Sequence, residues 1–424
     1  MIDRNLFLND FQMTATRLAA KGVDIEMLQE TRGILERRKA VTRKLHELRA
    51  DFNSKSEEIG RLFQASRKEE AEQQKAVVAG LKKEIAEVEK ELREVEDRAD
   101  YLMLRIPNLP SDLCPRGKGE QDNVILRVEG YDESRYQGKV FKPHWEIGQS
   151  LGIWDGERAA KISGAMFALL RKDGAKLLRA LVNFGLDLNA EEYEEILPPH
   201  FVRSETFTAT GHLPKFEADA YRLRDDDLWA IPTGEVPLMS LHREEILSET
   251  DLPKRYMAYT VCFRREAGSA GKDTRGMQRL HEFHKVEMVK LCMPEQVQPE
   301  FDGMLANAER PLKLLGLPYR VVDLCTADLT FASARVLDLE VYAPGIDRWL
   351  EVSSVGIFTD FQARRGNIKF RRENGKVEFV HALNGSAMAT PRVWAAIIEH
   401  GQQPDGSVRI PDALVPFMGK DVIR

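Results

Sequence analysis

Between Ile34 and Leu62 apolar side chains fall at Ile34, Val41, Leu45, Leu48, Phe52, Ile59 and Leu62, and between Val78 and Leu102 at Val78, Leu81, Ile85, Val88, Leu92, Val95, Ala99 and Leu102. Both series step by threes and fours or by sums of these, which is the spacing of a coiled-coil seam. A strand cannot use that period, because alternation would scatter the apolar groups over both faces of the pleat. Each stretch is therefore predicted to be a long helix. The polar run QASRKEEAEQQK at 64–75 is predicted to turn the chain so that the two helices lie antiparallel. A helix of about 30 residues spans roughly 45 Å, so the pair is expected as a projecting arm.

The outgoing helix is basic. Residues 32–62 carry nine Lys/Arg against five acids, a net of +4 in a chain whose formal charge is −6. A localised basic surface on an acidic protein suits contact with nucleic-acid phosphates, while dense surface charge is also ordinary on coiled coils. With 424 residues, 43% of them hydrophobic, the chain can build more than one domain. Pro107, Pro110 and Pro115 mark a stiff linker that divides it into 1–105 and 106–424, and helical stretches such as 164–185 alternate with short β-like runs beyond it. The cysteines Cys114, Cys262, Cys292 and Cys325 form no CxxC pair. Neither a disulfide framework nor a cysteine zinc site is suggested, and a reduced, cytoplasmic protein is expected. No run of about 18 apolar residues occurs, and the N-terminus lacks an apolar core after a basic start, so neither secretion nor membrane insertion is expected.

The densest chemistry lies between Phe263 and Glu287. Phe263, Arg264, Arg265 and Glu266 lead into a loop holding Gly268, Gly271 and Gly276 with Lys272, Asp273 and Arg275 among them, and the chain returns through HEFHKVEMVKL. Period-two spacing puts His281, Phe283, Lys285, Glu287 and Val289 on one face of the returning strand. A hairpin with a charged, solvated loop is one reading. A nucleotide site is the other, in which arginine forks grip phosphates and the ring stacks on a base. The loop's length favours the second, since structureless connections longer than about 12–15 residues are usually functional or disordered. A Walker phosphate loop is excluded, because GSAGKDT lacks the first glycine at the required spacing and has Asp273 where Ser or Thr is needed.

The order FRRE, loop, aromatic and glutamate resembles the second signature motif of the class II aminoacyl-tRNA synthetases. The wording EAGSAGKDTRGMQRLHEFHKVEM resembles its seryl-tRNA synthetase version. Further segments resemble the same family in the same order: SGAMF at 163–167, LPPH at 197–200, TGHLPKF at 210–216, PTGEVPL at 232–238, DLEVYAP at 338–344, DFQARR at 360–365 and LNGSAMATPR at 383–392. The resemblance implies an α+β fold: a long antiparallel helical hairpin followed by an antiparallel β-sheet catalytic domain flanked by helices. It also implies activation of L-serine with ATP to seryl-adenylate, then transfer of serine to tRNA(Ser) and also to tRNA(Sec), which the hairpin would hold by the long variable arm. The Lys172–Leu188 stretch with LPPH resembles the first motif, which implies a homodimer.

Residue roles follow from the same likeness. Thr233, Gly234, Glu235, Arg264, Glu287, Asn384 and Ser386 would bind serine, with Glu235 receiving the ammonium and Arg264 bridging the serine carboxylate and the ATP α-phosphate. Arg265, Glu266, Arg279, Leu280, Phe283, Val352, Ser353 and Arg392 would join Arg264 around ATP, with adenine on Phe283 and the γ-phosphate near Arg392. Glu351 and Ser354 would contact ATP through Mg2+. Arg264, Glu287 and Arg392 carry the catalytic assignment, and no side chain is assigned as a general base. A zinc-dependent subgroup is not indicated, since no Cys/His cluster occurs at the corresponding positions and His281 and His284 form no HExxH pattern.

Two departures stand out. Where the family usually reads Cys-Ser-Asn after the motif's serines, this chain has Val355-Gly356-Ile357, and the third motif carries Ala387 and Thr390-Pro391 where glycines are common. They motivate an alternative reading, a catalytically weakened paralogue acting as a tRNA-binding or regulatory protein.

Overall fold

The computed structural model describes residues 1–267 and 275–424, and the chain forms two compact units, Ile2–Ile106 and, with Met1, Pro107–Arg424. In the first unit, α1 (Ile25–Gln64) and α2 (Lys68–Met103) are the long helices read from the seam. The Asp24 carboxylate caps α1 by accepting from the Glu26 N–H at 2.9 Å. Val41, Leu45 and Val88 form the middle of the seam with Leu48, Ile85 and Leu92 around them. Near its base the seam runs through Leu28, Thr31 and Leu35 rather than Ile34, which is only half-buried.

The turn is shorter than the sequence suggests. Only Ala65–Arg67 lie outside the two helices, whereas the polar run was expected to connect them from 64 to 75. Its Lys, Glu, Gln and Ala residues are strong helix formers, and Ala71 enters the helix interface fully buried. The basic character of α1 is largely answered within the hairpin. Residues 68–103 carry seven Lys/Arg against eleven acids, a net of −4. Arg37 pairs with Glu91 and Arg38 with Glu96 at 2.9 Å, Lys44 with Glu84 at 2.9 Å and Arg49 with Glu89 at 2.7 Å, and Arg98 pairs back to Glu30.

The second unit is built on eight strands: β1 (Val124–Glu129), β2 (Glu194–Glu195), β3 (Lys254–Phe263), β4 (Glu282–Cys292), β5 (Tyr319–Asp323), β6 (Arg335–Ala343), β7 (Arg348–Thr359) and β8 (His381–Ala389), in the order β1-β5-β6-β7-β8-β4-β3-β2. Every neighbouring pair is antiparallel except the parallel β2/β3 edge. This is the α+β architecture expected. Antiparallel sheets often leave one face to water, but the central strands here are covered on both.

On the back face, Val286, Met288, Leu383, Ala387, Val355, Ile357, Leu337 and Leu339 meet α3 (Lys172–Asp187), α4 (Val297–Leu314) and α5 (Thr390–Gly401) in the main core. The alternate residues Lys285, Glu287, Asn384 and Ser386 point to the front, where Ala258, Val289, Leu291, Ala382 and Phe358 form a second core below them. Strand alternation thus separates an apolar back from a front that can hold charge.

Candidate active site

β3 and β4 pair without a break from Lys254↔Leu291 to Phe263↔Glu282, which sets Cys262 opposite Phe283 and Ala258 opposite Glu287. β8 lies on the other side of β4 with Ser386 opposite Glu287. The Ser386 hydroxyl donates to Glu287 Oε2 at 3.5 Å. Glu287 is buried and ion-paired with Lys285, whose Nζ also donates to Thr233 Oγ1 at 2.8 Å. Thr233, Glu235, Lys285, Glu287 and Ser386 therefore form one buried polar group, drawn from three separate parts of the chain. Gly234 allows it: a Cβ there would lie 3.0 Å from Glu287 Cβ and 3.2 Å from Thr260 Oγ1. Asn384 is buried and its Nδ2 has no hydrogen-bond partner among the described residues, so a donor is available for a ligand.

The Glu235 carboxyl accepts from Gln362 Nε2 at 2.5 Å. Burial, reinforced by the nearby Glu287, pushes its pKa up to about 7 against the hydrogen bond from Gln362 and the charges of Lys285 and Arg264. An acid poised in this way can ionise when a cation arrives beside it. His212 accompanies the group. Burial, then the positive charges of Arg264 and Lys285, lowers its pKa to about 3, so it is neutral.

At the upper end of the hairpin, the Arg264 N–H donates to the His281 carbonyl at 2.9 Å and its Nε to the Pro232 carbonyl at 3.3 Å. Its guanidinium stands 4.9 Å from the centre of the Phe283 ring and has no carboxylate ion partner among the described residues. Glu266, at φ +54°, pairs with Arg279 at 2.5 Å, so the two limbs of the loop are tied to each other. Arg392 opens α5 just after Pro391, donating from Nε to the Gln278 carbonyl at 2.9 Å and from Nη1 to the Glu351 carbonyl at 2.6 Å. The Glu351 carboxylate lies 3.5 Å from that guanidinium and accepts from the Ser354 hydroxyl at 3.2 Å. Desolvation by the surrounding protein opposes its ionisation even though the side chain is half exposed, but Arg392 and Arg264 together hold its pKa below the ordinary value.

Asp338, paired with Ser354 across β6 and β7, has its pKa raised by burial and then by Glu351, and its Oδ1 has no hydrogen-bond partner among the described residues. Carboxylate and hydroxyl oxygens with one carboxylate oxygen unsatisfied are a donor set that fits a hard divalent cation. No group of three or more His, Cys, Asp or Glu side chains among the described residues has metal-holding geometry of its own.

Not every expected side chain reaches this front. Arg265 is turned to the 218–219 turn, where Nη1 donates to the Ala218 carbonyl at 3.1 Å. Leu280 and Val352 are buried in the back-face core, and the Ser353 hydroxyl is used by the Ser386 carbonyl at 2.7 Å. Gly268, Gly271, Lys272 and Asp273 lie outside the described residues. Conversely, Lys285, Gln362, His212 and Asp338 had no role from sequence. Lys285 was already on the correct face of its strand, and the others lay within matched segments, but nothing in a linear pattern names their partners.

The departures at 355–357 divide by face. Val355 and Ile357 are buried in the back-face core, where Val355 and α4's Met304 both close on Gly385. Only Gly356, opposite Asn384, faces the front, and a Cβ there would lie 2.8 Å from the Phe358 ring. The altered motif is a repacking of the sheet's far side with one small residue under an aromatic ring, and the charged groups are untouched.

Residues 215–401 match the family described as tRNA synthetase class II core domain (G, H, P, S and T), and residues 1–110 match the seryl-tRNA synthetase N-terminal domain. The chain is 48% identical over 412 residues to a serine–tRNA ligase of Thermodesulfovibrio yellowstonii, covering 96% of each, and 46% identical over 424 residues to that of Geotalea uraniireducens, covering 99% of each. It resembles a solved structure of seryl-tRNA synthetase from Pyrococcus horikoshii complexed with ATP, with a TM-score of 0.93, 35% identity and coverage of 100% of this chain and 99% of that one. With both parts matched and relatives this similar over nearly their whole length, the chain belongs to the seryl-tRNA synthetase family.

Proposed function

We infer that this chain is a serine–tRNA ligase, which joins L-serine to ATP as seryl-adenylate with release of pyrophosphate and then moves serine to the end of tRNA(Ser). The observation that carries the residue assignment is the buried front-face group. It offers an acid poised to ionise, Glu235, for the serine ammonium. The Glu287–Ser386 pair and the Asn384 Nδ2, which has no partner among the described residues, are suited to its hydroxyl. A pocket built for a hydroxyl rejects an analogue lacking it by factors of about 10⁴–10⁵, since its own polar groups would stay unpaired.

The Arg264 guanidinium, which has no carboxylate partner among the described residues and lies over Phe283, suits the space between serine carboxylate and α-phosphate, with adenine against the ring. A serine carboxylate oxygen attacks the α-phosphorus, the bond to the bridging oxygen breaks and pyrophosphate leaves. Arg264 and Arg392 offset the charge that builds on the phosphates, and positioning supplies the remainder. The terminal ribose hydroxyl of the tRNA then attacks the serine carbonyl and AMP leaves. Glu351 and Ser354 would hold Mg2+, which when bound lends positive charge to the phosphates.

Residues 1–105 serve as the tRNA-binding part and 106–424 as the catalytic part in this reading. Lys39 on α1 and Lys82, Lys83 and Arg93 on α2 make no ion pair among the described residues, which supports phosphate contact by both helices rather than the first alone. tRNA(Sec) is a second proposed acceptor. A homodimer is supported by Leu197 and Phe201, exposed just beyond edge strand β2. No helix among the described residues is long and apolar enough to cross a membrane, and the four cysteines, all buried and none in a disulfide, suit a reducing, cytoplasmic setting. The weakened-paralogue reading loses its motive, since Val355 and Ile357 face away from the site. Serine-dependent exchange of pyrophosphate into ATP tests the assignment. Folded protein that exchanges with no amino acid would overturn it.

A further inference from the structure

Outside the groups assigned to serine and ATP, one buried ionisable pair touches the loop between β3 and β4. His144 and Glu399 are both fully buried, with His144 Nδ1 2.7 Å from Glu399 Oε1. The Met277 backbone N–H donates to His144 Nε2 at 2.9 Å. A backbone amide can only donate, so Nε2 carries a lone pair and the ring proton sits on Nδ1, donated to the carboxylate. Glu399 also accepts from the His144 N–H at 3.0 Å and the Gly345 N–H at 2.8 Å. Its charge is spread over three donors and its position is set by α5.

We propose that His144 and Glu399 form a latch that positions the return limb of the loop, Met277–Arg279, for ATP. The proposal rests on the ATP reading of Arg264, Arg279 and Arg392 given above. Three consecutive residues of the limb are tied at different points: Met277 through its N–H to His144, Gln278 through its carbonyl to Arg392, and Arg279 through its guanidinium to Glu266. Arg392 and Glu399 stand on the same helix, so the latch and the phosphate-facing arginine share one rigid support. Next to the limb, Gly276 sits at φ +66°, and a Cβ there would collide with His144 Nε2 and lie 2.8 Å from the Trp145 ring. The backbone is therefore seated directly on the imidazole. His144 is fully buried behind the limb and acts as a positioning residue.

The latch can be struck from both sides. Displacing a catalytic group by about 1 Å costs on the order of 10²-fold in rate. Full-length His144→Ala and Gly276→Ala are therefore expected to lower kcat/KM for ATP in pyrophosphate exchange by roughly 10- to 100-fold, with KM for serine changed less than about twofold. Hydrogen exchange at the 277–279 amides should quicken in both variants. Arg264→Ala is the reference, since it should damage the use of both substrates. If His144→Ala and Gly276→Ala are folded and leave ATP kinetics unchanged, or move serine and ATP equally, the latch is refuted while a defective Arg264→Ala keeps the site reading. If Arg264→Ala also spares ATP, the site reading itself fails. Should His144→Ala not fold, Gly276→Ala, altered from the loop side, still decides the matter.

Discussion

Glu235→Gln isolates the cost of holding an ionisable acid in the serine pocket. The carboxyl is pushed from 4.5 to about 7 by burial, then by Glu287. At about 1.4 kcal/mol for each pH unit, that gap corresponds to about 3 kcal/mol. The sign follows from linkage. Between the two values the folded state binds more protons than the unfolded one, so this group's contribution is intact below pH 4.5 and stability falls as pH rises through about 7. Glutamine keeps the shape and a hydrogen-bonding oxygen for Gln362 but cannot ionise. The variant should gain on the wild type by about 3 kcal/mol between pH 4.5 and pH 8.

All five tryptophans, Trp145, Trp154, Trp229, Trp349 and Trp394, lie beyond residue 106, so denaturant titration followed by their fluorescence reports the catalytic unit alone. Serine supplies the complementary test. Its ammonium should draw the proton off Glu235, so calorimetry near pH 6 in buffers of differing ionisation enthalpy should detect release of roughly one proton in the wild type and none in Glu235→Gln. Parallel stability curves, together with serine binding that releases no proton, would refute the reasoning.

Arg264→Ala should slow adenylate formation by a factor on the order of 10²–10³ in a folded protein, and Arg264→Lys should not restore it, because a point charge lacks the fork; near-normal exchange removes Arg264 from the site. Glu287→Ala leaves Lys285 buried with only Thr233, a loss of about 3–5 kcal/mol for a broken buried pair, and should mainly damage serine use, whereas Phe283→Ala should raise KM for ATP; reversed effects would contradict the β3/β4 register. Replacing 31–104 by a short linker should spare adenylate formation and abolish efficient tRNA charging, since the helices bury their seam on each other; full charging by the shortened chain would show that the hairpin serves something else.

The period of the seam was readable in the chain because helix–helix burial leaves a repeat in the order of residues. Its turn was not, since Lys68–Lys75 is polar enough to resemble a linker and helical enough to continue α2. The β4 face was likewise readable from alternation, including Lys285. What Lys285 touches was not: Thr233 is 52 residues away, and Gln362 is 127 residues from Glu235. Such partners are set by strand order, which only the folded sheet supplies. The roles of Arg264, Glu351 and Arg392 came from resemblance, since each alone reads as a surface charge. Strand parity also gives a meaning to Val355-Gly356-Ile357 that composition could not, because loss of polar side chains matters only on the face that meets substrate.

The apolar seam of the hairpin repeats, and a repeat cannot say where it begins. Sliding α2 along α1 by one heptad would again set apolar residues against apolar residues. The charges favour the native alignment over either slip. One direction sets Arg37 and Arg38 opposite glutamates but brings Arg49 toward Lys82 and Glu30 toward Glu91, and the other allows three opposite-charge contacts but brings Arg37 toward Arg98, so neither slip matches the five native pairs. Each exposed pair contributes only about 0.2–1 kcal/mol, too little to hold the helices together and enough, summed over five pairs and set against the repulsions of the slipped states, to select one alignment. The seam supplies adhesion and the ion pairs supply an address. Salt should therefore blur the position of the hairpin's tip before it loosens the hairpin itself.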